Sequence, residues 1–139
     1  MLFMIGIELP ENDTQAFGFV VPAFDALGYG CVGAVDEEAD LLAQAKLLIL
    51  DMAEEVIADG KLLASLDQGY CEHSAEYPEF TRWIALDVPV EQLKAAQKRI
   101  NITLPEPMLA RVDAFVETKN EYKDRSDFLA KAADKLMAC

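Results

Sequence analysis

Histidine, positive charge and long apolar runs are the scarce features of this sequence, and each scarcity excludes something. His73 is the one histidine in 139 residues. It stands two positions from Cys71, with no second ligand pair at zinc spacing, and reads as a lone surface histidine. No glycine-rich phosphate loop, nucleophile elbow or Ser-His-Asp set is present. The sequence therefore offers no catalytic residues, no metal site and no cofactor. No apolar run approaches the roughly 20 residues that a membrane span needs. The longest, LLIL at 47–50, sits inside a helical pattern. The opening MLFMIGIELPEN lacks a basic lead and a small-residue cleavage site, and does not read as a signal peptide. Cys31, Cys71 and Cys139 are widely spaced and odd in number. They are expected as free thiols in a reducing cytoplasm rather than as a disulfide framework.

Apolar residues are plentiful, at 53% of the chain, so a core is affordable and global disorder is not expected. The formal charge of −13 is unevenly placed. Residues 1–97 hold 18 Asp and Glu against 4 Lys and Arg, a balance of −14; residues 98–139 hold 7 against 8, a balance of +1. The first part repels nucleic acid and the last part does not. The change at residue 98 divides the chain into two modules with different partners.

Three strand patterns open the first module: LFMIGIEL (2–9), AFGFVVPAF (16–24) and the glycine-rich LGYGCVGAV (27–35). Residues 36–60 are free of proline and rich in helix formers, and they end on Gly60, a C-cap candidate. Leu41, Ala45, Leu48 and Met52 share one face of this helix, and Leu42, Ile49, Ala53 and Val56 an adjacent one. So broad an apolar surface calls for a sheet to cover. Residues 61–81 are mixed, reading as one helical turn and a loop. TRWIALDV (81–88) is a fourth strand, and VEQLKAAQ (90–97) a short helix or linker. Strand, strand, strand, helix, strand makes a small α+β domain over 1–90, followed by a linker at 91–97. Trp83, Phe17, Phe19 and Phe24 are expected to fill its core.

The second module, 98–139, begins with KRINITLP. Ile100, Ile102 and Leu104 alternate with Arg99, Asn101 and Thr103 until Pro105 stops the run. Everything downstream is helical. Met108, Leu109, Val112, Phe115 and Val116 make one apolar stripe; Phe128, Leu129, Ala132, Ala133, Leu136 and Met137 make another. Asp124 caps the second helix, with Asp127 three residues on as an approximate capping box. A lone strand cannot satisfy its own edge, and about forty residues cannot bury a core alone. Pairing the strand antiparallel with its copy across a two-fold axis solves both problems. Ile100, Ile102 and Leu104 then form a dimer core on four helices. Arg99, Asn101 and Thr103 project together from a two-stranded ribbon that fits the DNA major groove, with side chains suited to reading guanine, adenine and thymine edges.

KRINITLPEPMLARVDAFV followed by KDRSDFLAKAADKL resembles the ribbon-helix-helix repressor family over residues 98–137. That resemblance implies base reading by Arg99, Asn101 and Thr103, and phosphate binding by the start of the second helix around Arg125 and Ser126, with Lys98 and Lys123 beside it. The family turns between its helices through a glycine; here TKNEYK takes its place, with Asn120 the candidate for a left-handed position. In the first module, FGFVVPAF, GYGCVGAV and a helix opening DEEA and continuing AQAK resemble the N-terminal domain of HicB antitoxins, with PAFDALGYGC in place of the family's Pro-Asp-Leu-Pro-Gly-Cys run. The resemblance implies a degenerate RNase H-like fold that inhibits a small basic ribonuclease, the HicA toxin, and a C-terminal domain that dimerises, or assembles as a tetramer, on operator DNA.

Other readings stand beside this one. Arg99, Asn101 and Thr103 could be the solvent face of a dimerisation ribbon that never meets DNA, and the charge of −13 favours that. The chain could be a free-standing repressor whose acidic module senses a ligand or sets the oligomeric state. Asp36, Glu37, Glu38 and Asp40 could hold two metals in a residual nuclease. Consecutive residues point in different directions, however, and acids at a helix start are stabilised by its macrodipole.

Overall fold

Alternation builds the sheet of the first unit. In β1 (Leu2–Glu8), Phe3, Ile5 and Ile7 point to one face and Met4 and Gly6 to the other, and all five are buried. A strand buried on both faces needs cover on both. The computed structural model describes residues 1–93 and 97–137, in two compact units, Met1–Ala95 and Ala96–Cys139. Cys139 and part of the expected linker, residues 94–96, lie outside the described residues.

In the first unit β1 is central. It pairs with β2 (Phe17–Val20) on one side and β4 (Arg82–Asp87) on the other, and β3 (Val32–Val35) pairs with β2. Every pairing is antiparallel, in the order β3-β2-β1-β4. The architecture is α+β, as the order of periodicities predicted.

Helix α1 (Leu41–Ala58) covers the inner face. Its buried residues are Leu41, Ala45, Ile49, Ala53 and Val56, one ridge drawn from both of the expected faces. Alanine at 45 and 53 lets the helix lie close to the sheet. Leu48 and Met52 are half-buried at the flank, and Leu42 is exposed. The helix starts later than the sequence indicated, because Glu38–Asp40 form a separate 3-10 turn. It ends as expected. Gly60, at φ +79°, donates to the Ile57 carbonyl while Lys61 donates to Val56, the paired bonds of a Schellman motif.

The second and third strands are shorter than their apolar patterns. Pro22 has no N–H to continue a ladder, and it opens a 3-10 turn at Pro22–Leu27 instead. The turn still serves the core: Phe24 is fully buried and stacks on Phe3, with ring centroids 5.9 Å apart.

Residues 61–81, expected as one helical turn and a loop, contain a 3-10 turn at Leu63–Leu66 and otherwise irregular chain. The aromatic residues at the end of this segment meet Trp83 on the outer face of the sheet. Trp83 faces outward with Gly6, its register partner. Its indole lies across that glycine: a Cβ at Gly6 would come within 2.6 Å of the ring carbon Cη2. Tyr77 and His73 flank the indole at centroid distances of 6.3 and 6.0 Å. Tyr77 donates its hydroxyl to Asp25, which fastens this segment to the Pro22–Leu27 turn. Substitution Gly6→Ala is expected to displace Trp83 and destabilise the protein by about 1–3 kcal/mol, the usual cost of overpacking, readable as a lower denaturation midpoint with quenching or exposure of tryptophan fluorescence.

The second unit consists of α2 (Glu106–Thr118) and α3 (Arg125–Met137). Asp124 caps α3, its carboxylate accepting the Asp127 N–H at 2.8 Å. The return bond of the capping box is shifted by one residue: Asp127 accepts the N–H of Lys123, not of Asp124, at 3.0 Å. The inter-helix turn needs no left-handed residue. No non-glycine residue described has positive φ, so Asn120 does not play the part expected of it. Tyr122 closes the turn instead, packing on Phe115 and Phe128 at 5.9 and 5.1 Å, while those two rings lie 5.4 Å apart.

Residues 97–105 carry no regular secondary structure, so the strand expected at 98–104 is not formed within one chain. The physical reason is plain: a strand is defined by its ladder, and the sheet among the described residues contains only β1 to β4.

Candidate functional site

The alternation at 98–104 leaves its apolar residues uncovered. Ile100 and Ile102 are 72% and 59% exposed, and Leu104 is half-buried. Lys98, Arg99, Asn101 and Thr103 are all exposed. Met108, Phe115, Leu136 and Met137 add further exposed apolar surface on the helices. Among the described residues of this unit none is buried. The two helices cover their apolar stripes only in part, and the apolar strand pattern beside them is largely uncovered, which together make an incomplete core.

The start of α3 has a defined electrostatic layout. Its first N–H groups, those of Arg125 and Ser126, precede any carbonyl the helix itself can offer them. The Arg125 side chain is held by α2: Nε and Nη2 donate to the two carboxylate oxygens of Asp113 at 3.0 and 2.9 Å. This bidentate pair holds the Asp113 carboxyl below its ordinary range and raises Arg125. Asp127 is likewise held low, chiefly by the Lys123 N–H and further by Lys131 at 3.0 Å. Of the four side chains expected at a phosphate, the Arg125 guanidinium is thus already committed to a carboxylate. The Lys98, Lys123 and Ser126 side chains are exposed. Sequence reasoning missed Asp113 and Tyr122. Asp113 lies twelve residues from its partner, beyond helical spacing, and only an antiparallel helix pair brings them together.

On the first unit, Asp36, Glu37, Glu38 and Asp40 precede α1 and do not converge. Glu38 pairs with Arg82 of β4 at 3.3 Å, and among the described residues no three His, Cys, Asp or Glu form a group able to hold a metal. Val32 on the edge strand β3 is 65% exposed, and Leu42 and Leu47 of α1 and Tyr70 are exposed too, set among the carboxylates of a strongly acidic surface. His73 is not the surface residue its isolation in the sequence implied. It is only 9% exposed, because it belongs to the aromatic layer around Trp83. The signal was available in the three- to four-residue spacing of His73, Tyr77, Phe80 and Trp83.

A family model described as the HicB-like antitoxin of bacterial toxin-antitoxin systems matches residues 3–133. The chain belongs to the HicB-like antitoxin family. The match runs through both units of this HicB-like chain, so the acidic α+β unit and the two-helix unit are parts of one family pattern. A 14.9 kDa protein encoded in the rep–hol intergenic region of Haemophilus phage HP1 is 34% identical over 135 residues, covering 96% of this chain and 95% of its own length. The crystal structure of the antitoxin HicB of Burkholderia pseudomallei is 26% identical, with 98% of each chain covered and a TM-score of 0.48. Among the described residues no helix is long and apolar enough to cross a membrane.

Proposed function

We propose that this HicB-like chain neutralises a small basic ribonuclease toxin of the HicA type with its first unit and represses its own operon with its second. The second unit dimerises as a ribbon-helix-helix domain: residues 98–104 of two copies pair antiparallel, Ile100, Ile102 and Leu104 face the helices, and Arg99, Asn101 and Thr103 enter the major groove. The observation that carries the reading is the absence of any buried residue among those described at 97–137, despite their apolar stripes. A second copy supplies the missing half of that core. The start of α3 then holds a DNA phosphate through backbone N–H groups, with Lys98 and Lys123 contributing charge.

Family membership supports a toxin partner, and leaves the free-standing repressor without an observation in its favour. The charge balance of −14 over residues 1–97 suits a basic toxin by accelerating encounter and orienting it. The exposed Val32, Leu47 and Tyr70 supply apolar area that charge alone does not. The protein acts as a binding and regulatory protein in the cytoplasm, without a cofactor.

The division of labour is tested by a fragment of residues 1–93 mixed with the neighbouring toxin. RNA cleavage is expected to stop at about one fragment per toxin, with an association rate that falls steeply as salt rises. Cleavage persisting under an excess of fragment would place toxin binding elsewhere in the chain.

A further inference from the structure

Cys71 and His73, two residues apart and neither given a part in toxin or DNA binding, are in direct contact. The Cys71 sulfur lies 3.0 Å from His73 Nε2, and the other ring nitrogen, Nδ1, faces Glu76 Oε2 at 3.5 Å. His73 is buried against Trp83, and its Nδ1 makes no hydrogen bond. The Glu76 and Tyr77 N–H groups both donate to the His73 carbonyl at 3.1 Å, a turn that keeps the carboxylate beside the ring.

The surroundings select the tautomer. With the proton on Nε2, the bare Nδ1 lone pair would face a carboxylate oxygen, which is repulsive. With the proton on Nδ1, that edge of the ring faces the Glu76 carboxylate favourably at 3.5 Å, too far and too poorly aligned for a hydrogen bond. The Nε2 lone pair can then accept from the Cys71 thiol. The sequence thiol, imidazole, carboxylate is the arrangement of a nucleophile, its base and the group that orients the base. Cys71 is half-exposed and open to a small reagent. Cys31 gives the contrast: it is buried in the core, and burial above all, with Asp25 adding to it, pushes its thiol up to about 12. No metal explains the cluster, since among the described residues no such three-ligand group is formed.

We infer that Cys71, His73 and Glu76 form a thiol-modification site, at which Cys71 exchanges with small neutral or cationic disulfides to give a mixed disulfide. As the Cys71 sulfur attacks one sulfur of the reagent, its proton passes to His73 Nε2. A Cys71–sulfur bond forms and the reagent's disulfide bond breaks. The departing thiolate takes the proton from the imidazolium, so Cys71 is oxidised and half of the reagent leaves reduced as a thiol. Glu72 and Glu76 flank the site and repel an anionic reagent.

The full-length protein is treated with cystamine, a dication, or with oxidised glutathione, an anion, and each thiol is followed by peptide mapping. Cys71 is expected to react with cystamine about 10-fold or more faster than a free cysteine amide, a general base being worth about 10²–10⁴ before access is considered. Cystamine is expected to outpace oxidised glutathione by about 10-fold or more at low salt, a preference that shrinks as salt rises. The Glu76→Gln variant, altered at an exposed side chain, is expected to fold normally and slow Cys71 about 3- to 10-fold while leaving Cys31 unchanged. His73→Gln is expected to slow it further; if that variant loosens the segment, Trp83 fluorescence reports it and Glu76→Gln decides. A Cys71 rate no greater than that of the free thiol, an unchanged rate in Glu76→Gln, or a preference for the anionic disulfide overturns the site.

Discussion

Replacing Ile102 with aspartate is expected to leave the protein monomeric and without measurable affinity for its operator. Ile102 is the middle residue of the apolar alternation and is 59% exposed in the lone chain. In the proposed ribbon it meets its symmetry mate near the two-fold axis, so one substitution acts twice. Each isoleucine lost forfeits about 1.5–3 kcal/mol of apolar burial. Each carboxylate gained must be desolvated, beside a second one of the same sign, at a further cost of several kcal/mol. The total exceeds about 5 kcal/mol, which raises the dimer dissociation constant by more than about 10³-fold. Light scattering or sedimentation across a concentration series reads the first effect, and a gel shift reads the second. The acidic unit has its own core, including Phe3, Ile5, Phe24 and Ile49, and should keep its unfolding transition and its toxin binding. A variant that remains dimeric at the concentrations where the parent is dimeric would remove the ribbon as the interface.

That expectation rests on a strand that a single chain does not form, and the same locality explains what was legible in the sequence. Periodicity reports how one element meets its neighbours, so β1, β4, α1, α2 and α3 were readable from their apolar spacing alone. Chain termination was readable where one residue decides it: Gly60 closes α1 because its φ of +79° suits glycine, and Asp124 caps α3 with its own carboxylate. Long-range packing left weaker marks. The run from residue 16 to 24 looked like one strand, but Pro22 turns the chain and Phe24 reaches the core from a 3-10 turn. The outer aromatic layer was hidden because Gly6 and Trp83 are distant in sequence, and only the β1–β4 register sets one across the other. His73 belongs to the same layer, and its local spacing to Tyr77, Phe80 and Trp83 is the mark of it that the sequence carries. At 98–104 the pattern was legible, but in the proposed dimer its partner lies in another molecule, and no intrachain ladder records it.

The proposed DNA binding has to be reconciled with a net charge of −13. Lys98, Arg99 and Lys123 are exposed, whereas Arg125 is drawn back by Asp113, and Asp127 stands at the same helix start. With a charge balance of only +1 over residues 98–139, the sequence-independent part of the affinity is expected to be small. In the proposed complex specific affinity comes from base edges read by the ribbon, and it should vanish with the dimer that creates the ribbon.

For that reason the expected loss on removing a base-reading side chain is large relative to the loss on removing a phosphate-side one. Arg99→Ala and Asn101→Ala each delete a bidentate contact worth about 1–3 kcal/mol, and the two-fold doubles it to about 2–6 kcal/mol, or roughly 30- to 10⁴-fold in operator affinity. In the proposed ribbon both side chains face away from the helices, so neither change should disturb the dimer, and light scattering on the same samples checks this. Arg125→Ala is expected to cost much less, within about 10-fold, because its guanidinium serves Asp113; the backbone N–H groups at the start of α3 remain in place. Competition with non-specific DNA separates the two classes further. The Arg99 and Asn101 variants should lose discrimination between operator and competitor, whereas the Arg125 variant should weaken on both alike. Unchanged operator affinity in both Arg99→Ala and Asn101→Ala, with the dimer intact, would mean that the ribbon only joins two chains. The reading face would then lie elsewhere on the second unit.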